Sequence, residues 1–147
     1  MVRNQEILTA EQINASIEQM TQEILADLPQ GDLFLLGMAT RGVPLSQRIS
    51  KKLGEYGIKS SLGSLDTTFY RDDYHFRKKF KNPSMHITQI PETKVDGVNI
   101  VLIDDVIYTG RSIRSALNAI MDLGRPASIH LGVLVDRGGR EMPIEPR

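Results

Sequence analysis

Thirteen consecutive residues, Val101-Leu102-Ile103-Asp104-Asp105-Val106-Ile107-Tyr108-Thr109-Gly110-Arg111-Ser112-Ile113, carry the densest chemistry in the chain. An apolar run leads into two adjacent carboxylates, then a turn with hydroxyls and a glycine, then a helical pattern. The first amides of a helix have no partner within it and carry the positive end of its dipole, so they form a seat for an anion. Thr109 and Ser112 add hydroxyl donors, and Gly110 removes a side chain that would block close approach. One short turn away, Asp104 and Asp105 supply oxygens that suit sugar hydroxyls or Mg²⁺ held through water. A phosphate cradle beside two acids suits a sugar phosphate. An Asp-Asp pair alone reads equally well as a strand ending in solvated acids before a Ser/Thr-capped helix; the full run favours the cradle.

The elements that must position this run can be read outward from it. Val98 to Ile103 is nearly continuously apolar, as in a strand buried on both faces. Arg111 to Leu123 reads as a helix stopped by Gly124 and Pro126, and Ser128 to Val135 as the next strand. Upstream, Thr9 and Gln12 make a capping box ahead of Ile13, Ile17, Met20, Ile24 and Leu28. The polar face of that helix carries Glu11, Glu18, Glu23 and Asp27 and no Lys or Arg. Leu33 to Leu36 is a short apolar strand between Gly31 and Gly37, Val43 to Tyr56 a helix, and Ile58 to Leu65 a second strand. Strands alternating with helices predict an α/β fold, a central and mostly parallel sheet with helices on both faces. Ligands of such sheets bind at the carboxyl ends of the strands.

The stretch from Thr67 to Pro91 breaks the alternation. Between Arg71 and Lys81 it has five basic and two acidic residues, interleaved with Tyr74, Phe76 and Phe80. Thr67–Tyr70 and His86–Ile90 are expected to pair as a hairpin across Asn82-Pro83-Ser84, an excursion of a length that is usually functional or disordered.

Composition narrows the classes further. With 147 residues the chain fits one domain, and 18 basic against 18 acidic side chains leave no global field toward nucleic acid or membrane. The absence of cysteine excludes a disulfide framework, a thiolate nucleophile and a zinc–sulfur centre, and fits a cytoplasmic location. No apolar run approaches ~20 residues, so no membrane span is expected. His130 lies in an apolar strand and is expected as a hydrogen-bonded core or interface residue; His75 and His86 fall in the arm. None has the spacing of a metal site.

The acid pair with its Thr-Gly turn resembles the phosphoribosyl-pyrophosphate (PRPP) motif of type I phosphoribosyltransferases. Asp105–Ser112, Thr40-Arg41-Gly42, Thr68–Asp73 and Val135–Ile144 together resemble the PyrR family of pyrimidine-operon attenuation proteins that are also uracil phosphoribosyltransferases. The resemblance implies a type I phosphoribosyltransferase fold, a flexible hairpin arm over the active site, a homodimer, and PRPP, uracil and UMP as ligands with Mg²⁺ as cofactor. It also implies roles. Asp104 and Asp105 would hold the ribose hydroxyls and the Mg²⁺ shell. Val106, Ile107, Tyr108, Thr109, Gly110, Arg111 and Ser112 would wrap the 5′-phosphate. Thr40, Arg41 and Gly42 would form the pyrophosphate loop. Without that context, Gly37-x4-Gly42 before Val43 lacks the Lys-Ser/Thr of a P-loop and is only a tight turn. Arg71 and Asp72 would belong to the loop that closes over the reacting centre, and Arg137 would lie by the uracil pocket.

The family pattern continues past Arg147 through more strand and loop on the base-binding side, so an incomplete uracil pocket is expected. The regulatory half of the family binds pyr leader mRNA through basic and histidine side chains. The matching positions here include Gln19, Gln22 and Gly139, and the acidic first helix opposes RNA docking. An RNA-binding attenuation regulator with little catalysis is the rival reading. A purine phosphoribosyltransferase is a second, because the PRPP motif reads only the sugar phosphate. A receiver domain also ends a strand in acids, but not in a late strand that feeds a phosphate-type turn.

Overall fold

The computed structural model describes residues 8–27, 31–66 and 95–146. The first helix, α1 (Ala10–Asp27), starts as its capping box predicts. The Thr9 amide donates to Gln12 Oε1 at 2.8 Å and the Gln12 amide donates to Thr9 Oγ1 at 3.1 Å. There follow β1 (Leu33–Met38), α2 (Gly42–Glu55), β2 (Ser61–Leu65), β3 (Asn99–Ile107), α3 (Arg111–Leu123) and β4 (Ser128–Asp136). Among the described residues the strands form one sheet in the order β2-β1-β3-β4, every pair parallel. The first strand of the sequence is therefore internal, and all six of its residues are buried.

The helices divide between the two faces. Ile17, Met20 and Ile24 of α1 and Leu45, Ile49 and Leu53 of α2 pack on Leu33, Leu35, Val101 and Ile103. Ile113, Ala116, Ala119 and Ile120 of α3 pack on Phe34, Leu36, Ile100 and Leu102. Alternate residues of β1 and β3 thus serve opposite cores, which is why both strands read as unbroken apolar runs. On the outer side, α1 and α2 are joined by polar contacts. Glu18 accepts from Lys52 Nζ at 2.8 Å, Tyr56 Oη at 3.0 Å and Gln22 Nε2 at 3.1 Å, and these donors lower its pKa to about 2.

Several element boundaries differ from the sequence reading, among them the end of the first strand, which runs on through Gly37 to Met38. The second strand starts at Ser61 rather than Ile58, because the Ile58 amide donates to the Leu53 carbonyl at 2.9 Å and closes α2. The third strand runs on to Ile107 instead of stopping at Ile103. Val106 and Ile107 pair with Val135 and Asp136 of β4, so the ladder continues past the acids. The predicted hairpin arm, with Arg71, Asp72, His75 and His86, lies outside the described residues.

Two glycines allow the carboxyl end of the sheet to close up. A Cβ at Gly42 would stand 2.1 Å from the Ile103 carbonyl oxygen. One at Gly37 would stand 2.7 Å from both the Gly42 carbonyl oxygen and Val43 Cα. The obstacles are backbone atoms, which cannot rotate away as a side chain can. At Gly54, also in α2, a Cβ would meet nothing within 4 Å. Gly42→Ala is therefore expected to destabilise the fold by about 1–3 kcal/mol. Gly54→Ala should be neutral or stabilising by up to ~1 kcal/mol, through reduced freedom of the unfolded chain. Urea unfolding of the two variants checks this; equal stability would mean that the loop moves away from β3 at no cost.

Candidate active site

The acid pair lies within β3, near its end. Successive side chains of a strand face opposite ways, yet these two carboxyls still interact directly, so they form one acidic pair whose outer neighbours differ. Asp105 turns toward the β1–α2 connection, where Arg41 Nη1 lies 3.7 Å from its Oδ2. The Arg41 side chain is 84% exposed, so its charge is presented to solvent at the sheet's carboxyl edge. Thr40 is exposed beside it, following a cis Ala39–Thr40 peptide, and Gly42 is the buried residue that lets this connection lie on β3.

Asp104 takes the other side. It lines a cavity of about 330 Å³ whose remaining wall, among the described residues, is the run Val106–Ile113. The carboxylates also accept hydrogen bonds from the strand itself. The Asp105 amide donates to Asp104 Oδ1 and the Val106 amide to Asp105 Oδ1, each at 2.8 Å. Burial pushes the Asp104 carboxyl up to about 7, and the neighbouring Asp105 carboxylate adds to that rise.

The turn from β3 to α3 has the form of an anion seat. Gly110 caps α3 in the left-handed region at φ 91°. The sequence reading assigned this glycine to close ligand approach; the positive φ is a second reason that only glycine suits the position. No side chain caps the helix at Gly110. The Thr109 hydroxyl instead accepts from the Arg111 amide at 3.2 Å, so one amide of the cradle has an internal partner. Ser112 is half-buried on the same wall.

Behind this turn lies the segment after β4, and here the arginines divide. Arg111 donates through Nε and Nη2 to both oxygens of Glu141, each at 2.7 Å, so its guanidinium faces the C-terminal segment. Arg137 lies over the Tyr108 ring, with its guanidinium carbon 4.6 Å from the centroid. On the same ring, a Cβ at Gly139 would stand 2.7 Å from Tyr108 Cε2. Arg140 has a side chain only 11% exposed and donates to Asp136, Tyr108 and Ile144. The sequence reading found the motif that holds Arg140 and Glu141 but could not see these contacts, most of which span about 30 residues of chain. The expected hydrogen bond of His130 is not seen: its buried Nε2 has no partner among the described residues.

The fold and this site define a class. A family model described as "Phosphoribosyl transferase domain" matches residues 3–146. The structure superposes on a hypoxanthine phosphoribosyltransferase from Staphylococcus aureus with a TM-score of 0.72 at 16% identity, covering 98% of this chain and 74% of that one. It also superposes on the HGPRT-ase of Leishmania tarentolae, with a TM-score of 0.72 at 18% identity over 97% of this chain and 77% of that one. The fold is that of the type I phosphoribosyltransferases. Sequence similarity is closer to another branch. The "Bifunctional protein PyrR" of Picosynechococcus sp. is 50% identical over 96% of this chain and 78% of its own length. That of Oceanobacillus iheyensis is 44% identical over 98% of this chain and 81% of its own. The chain belongs to the PyrR family.

The raised pKa of Asp104 sets a direction for stability. The folded chain holds a proton that the unfolded chain releases near an ordinary carboxyl pKa. The contribution of this group to stability is therefore fully present at or below about pH 4 and is lost as pH rises through about 7. Asp104→Asn should remove this fall, raising the melting temperature by several degrees at about pH 8 while leaving it nearly unchanged at about pH 4. Parallel melting-temperature profiles for the two proteins would contradict the assignment.

Proposed function

We propose that this chain transfers the phosphoribosyl group of PRPP to uracil, giving UMP and pyrophosphate. The observation that carries this reading is the meeting of two strand ends. Arg41, after β1, stands 3.7 Å from Asp105, while Asp104 opens the cavity walled by the β3–α3 turn. A ligand seated there has amides and hydroxyls at one end, carboxylates along its middle and a cation at the other. That order matches a 5′-phosphate, a ribose and a pyrophosphate. Membership of the PyrR family supports uracil as the acceptor.

In the reaction, the bond from the anomeric carbon to the pyrophosphate oxygen breaks and the bond to uracil N1 forms, with the N1 proton released. Positive charge builds on the ribose and negative charge on the leaving group. Fixed charges and dipoles are therefore the main means of catalysis. Arg41 and the Thr40–Gly42 backbone face the departing pyrophosphate, Asp104 and Asp105 hold the ribose hydroxyls, and the turn from Val106 to Ser112 holds the 5′-phosphate. Arg137, at the Tyr108 ring, lies on the base side. The donor set fits Mg²⁺ carried with the substrate. Two hard carboxylates are present, and among the described residues no group of three or more acidic, His or Cys ligands forms a protein-only cage. Bound there with substrate and water oxygens, Mg²⁺ would offset the charge of the leaving pyrophosphate.

The regulatory activity implied by the family resemblance, binding of pyr leader mRNA, has the surface of α1 against it. That helix carries no Lys or Arg, and Glu18 stays ionised under three donors.

Conversion of uracil with PRPP and Mg²⁺, with hypoxanthine and adenine run in parallel, tests the proposal. Turnover with uracil alone is expected, and Arg41→Gln should lower kcat/KM by about 100-fold, in line with loss of one stabilising charge. Turnover with hypoxanthine but not uracil would overturn the assigned acceptor.

A further inference from the structure

The β3–α3 turn has walls on two sides, and only one of them is the cavity. On the other side lies the segment from Asp136 to Glu145, and two consecutive residues of that segment hold two consecutive carbonyls of the turn. Arg140 Nη1 donates to the Tyr108 carbonyl at 2.9 Å, and the Glu141 amide donates to the Thr109 carbonyl at 2.9 Å. A trans peptide is planar, with its carbonyl and its N–H pointing in opposite directions. The carbonyl of Tyr108 shares a plane with the amide of Thr109, and the carbonyl of Thr109 with the amide of Gly110. Fixing both carbonyls toward the C-terminal segment therefore fixes both amides away from it. The cavity lies on that far side, since none of its lining residues comes from the C-terminal segment.

The guanidinium of Arg140 is built into this role. Nη2 donates to Asp136 Oδ2 at 2.6 Å and Nε to the Ile144 carbonyl at 2.7 Å, while Glu145 Oε2 lies 3.6 Å from Nη2. One side chain thus joins the exit of β3, the exit of β4 and the far end of the segment. Charge-assisted donors in a planar fork hold such a junction in one geometry, whereas a lysine ammonium supplies one point charge. Met142 and Ile144, carried by the same segment, stand 3.3 and 3.8 Å from where a Cβ of Gly110 would be. They support the left-handed residue that starts α3.

From these contacts we propose that Arg140 is a positioning residue for phosphate recognition, acting through the Tyr108 carbonyl to aim the Thr109 amide, with Glu141 doing the same for Gly110. The inference rests on the phosphoribosyltransferase reading and deepens it. It separates Arg140 from the arginines that meet ligand, because Nε, Nη1 and Nη2 of this mostly buried side chain each donate inside the protein. Loss of Arg140 should act on the phosphate end of the ligand and not on the base.

Binding of UMP and of uridine, which differ by the 5′-phosphate alone, distinguishes this role from a general structural one. Steady-state KM values for PRPP and uracil give a second measure. Arg140→Met is expected to weaken UMP binding and raise the KM for PRPP by tenfold or more. Uridine affinity and the KM for uracil should stay within about twofold, in keeping with a loss confined to hydrogen bonds of the phosphate. Arg140→Lys should recover only part of the loss. If Arg140→Met fails to fold, Glu141→Pro, which removes the amide to Thr109 while leaving Arg140 in place, must show the same selective loss for UMP. Equal weakening of UMP and uridine, or unchanged UMP binding in a folded variant, overturns the inference while leaving the enzyme reading intact. Wild-type protein that binds neither PRPP nor UMP overturns both.

Discussion

The contact between Gly42 and the Ile103 carbonyl sets the spacing of everything at the carboxyl end of the sheet. A methyl group at that glycine would lie 2.1 Å from the oxygen, so backbone meets backbone with no side chain between. The connection after β1 can then rest directly on β3, one residue before the acids begin. Arg41, the residue before that glycine, is carried to the side of Asp105, and α2 starts against the sheet instead of above it. Gly37 makes the same demand from the other side, against Gly42 and Val43. A bulkier residue at either position would separate the cation from the carboxylate and open the core beneath α2.

The arginines around the site differ in how closely they are paired. Arg41 is exposed and paired only at long range, and is available to a charged substrate. Arg111 and Arg140 are bound to Glu141 and Asp136, and these pairings lower the pKa of both acids. The Arg111–Glu141 pair is largely exposed to water and contributes little to stability by charge alone, whereas the Arg140 side chain is mostly buried. The value of both arginines lies in geometry, because they connect the C-terminal segment to the β3–α3 turn at several points. Asp104 is the opposite case. Burial beside a second carboxylate makes its charge costly until a ligand supplies compensating donors or a cation. The fold therefore carries a local destabilisation at Asp104 when that carboxyl is ionised.

Much of this was legible in the sequence, and the physical reason is periodicity. The period of two, lost where both faces are buried, marked Leu33–Leu36 and Val98–Ile103 as central strands, and the structure places them side by side. The capping box at Thr9 and the glycine and proline after Leu123 located helix ends because capping is local chemistry. The acid pair and the Thr-Gly turn stood out because their types and order suit a phosphate and a sugar. What was not legible depends on partners distant in the chain. The extension of β3 to Ile107 needs β4 alongside, some 30 residues later. The direction of the Arg111 guanidinium is decided by Glu141, and that of Arg140 by a carbonyl in another loop. Likewise, Gly42 reads as a turn glycine until the carbonyl it touches is known.

A crystal structure with UMP bound tests the central claim most directly. The predicted result has the 5′-phosphate within hydrogen-bonding distance of the Thr109 and Gly110 amides and the ribose hydroxyls on Asp104 and Asp105, with Arg140 still on the Tyr108 carbonyl. A phosphate held instead by the guanidinium of Arg111 or Arg140, with the amide turn left empty, would contradict it.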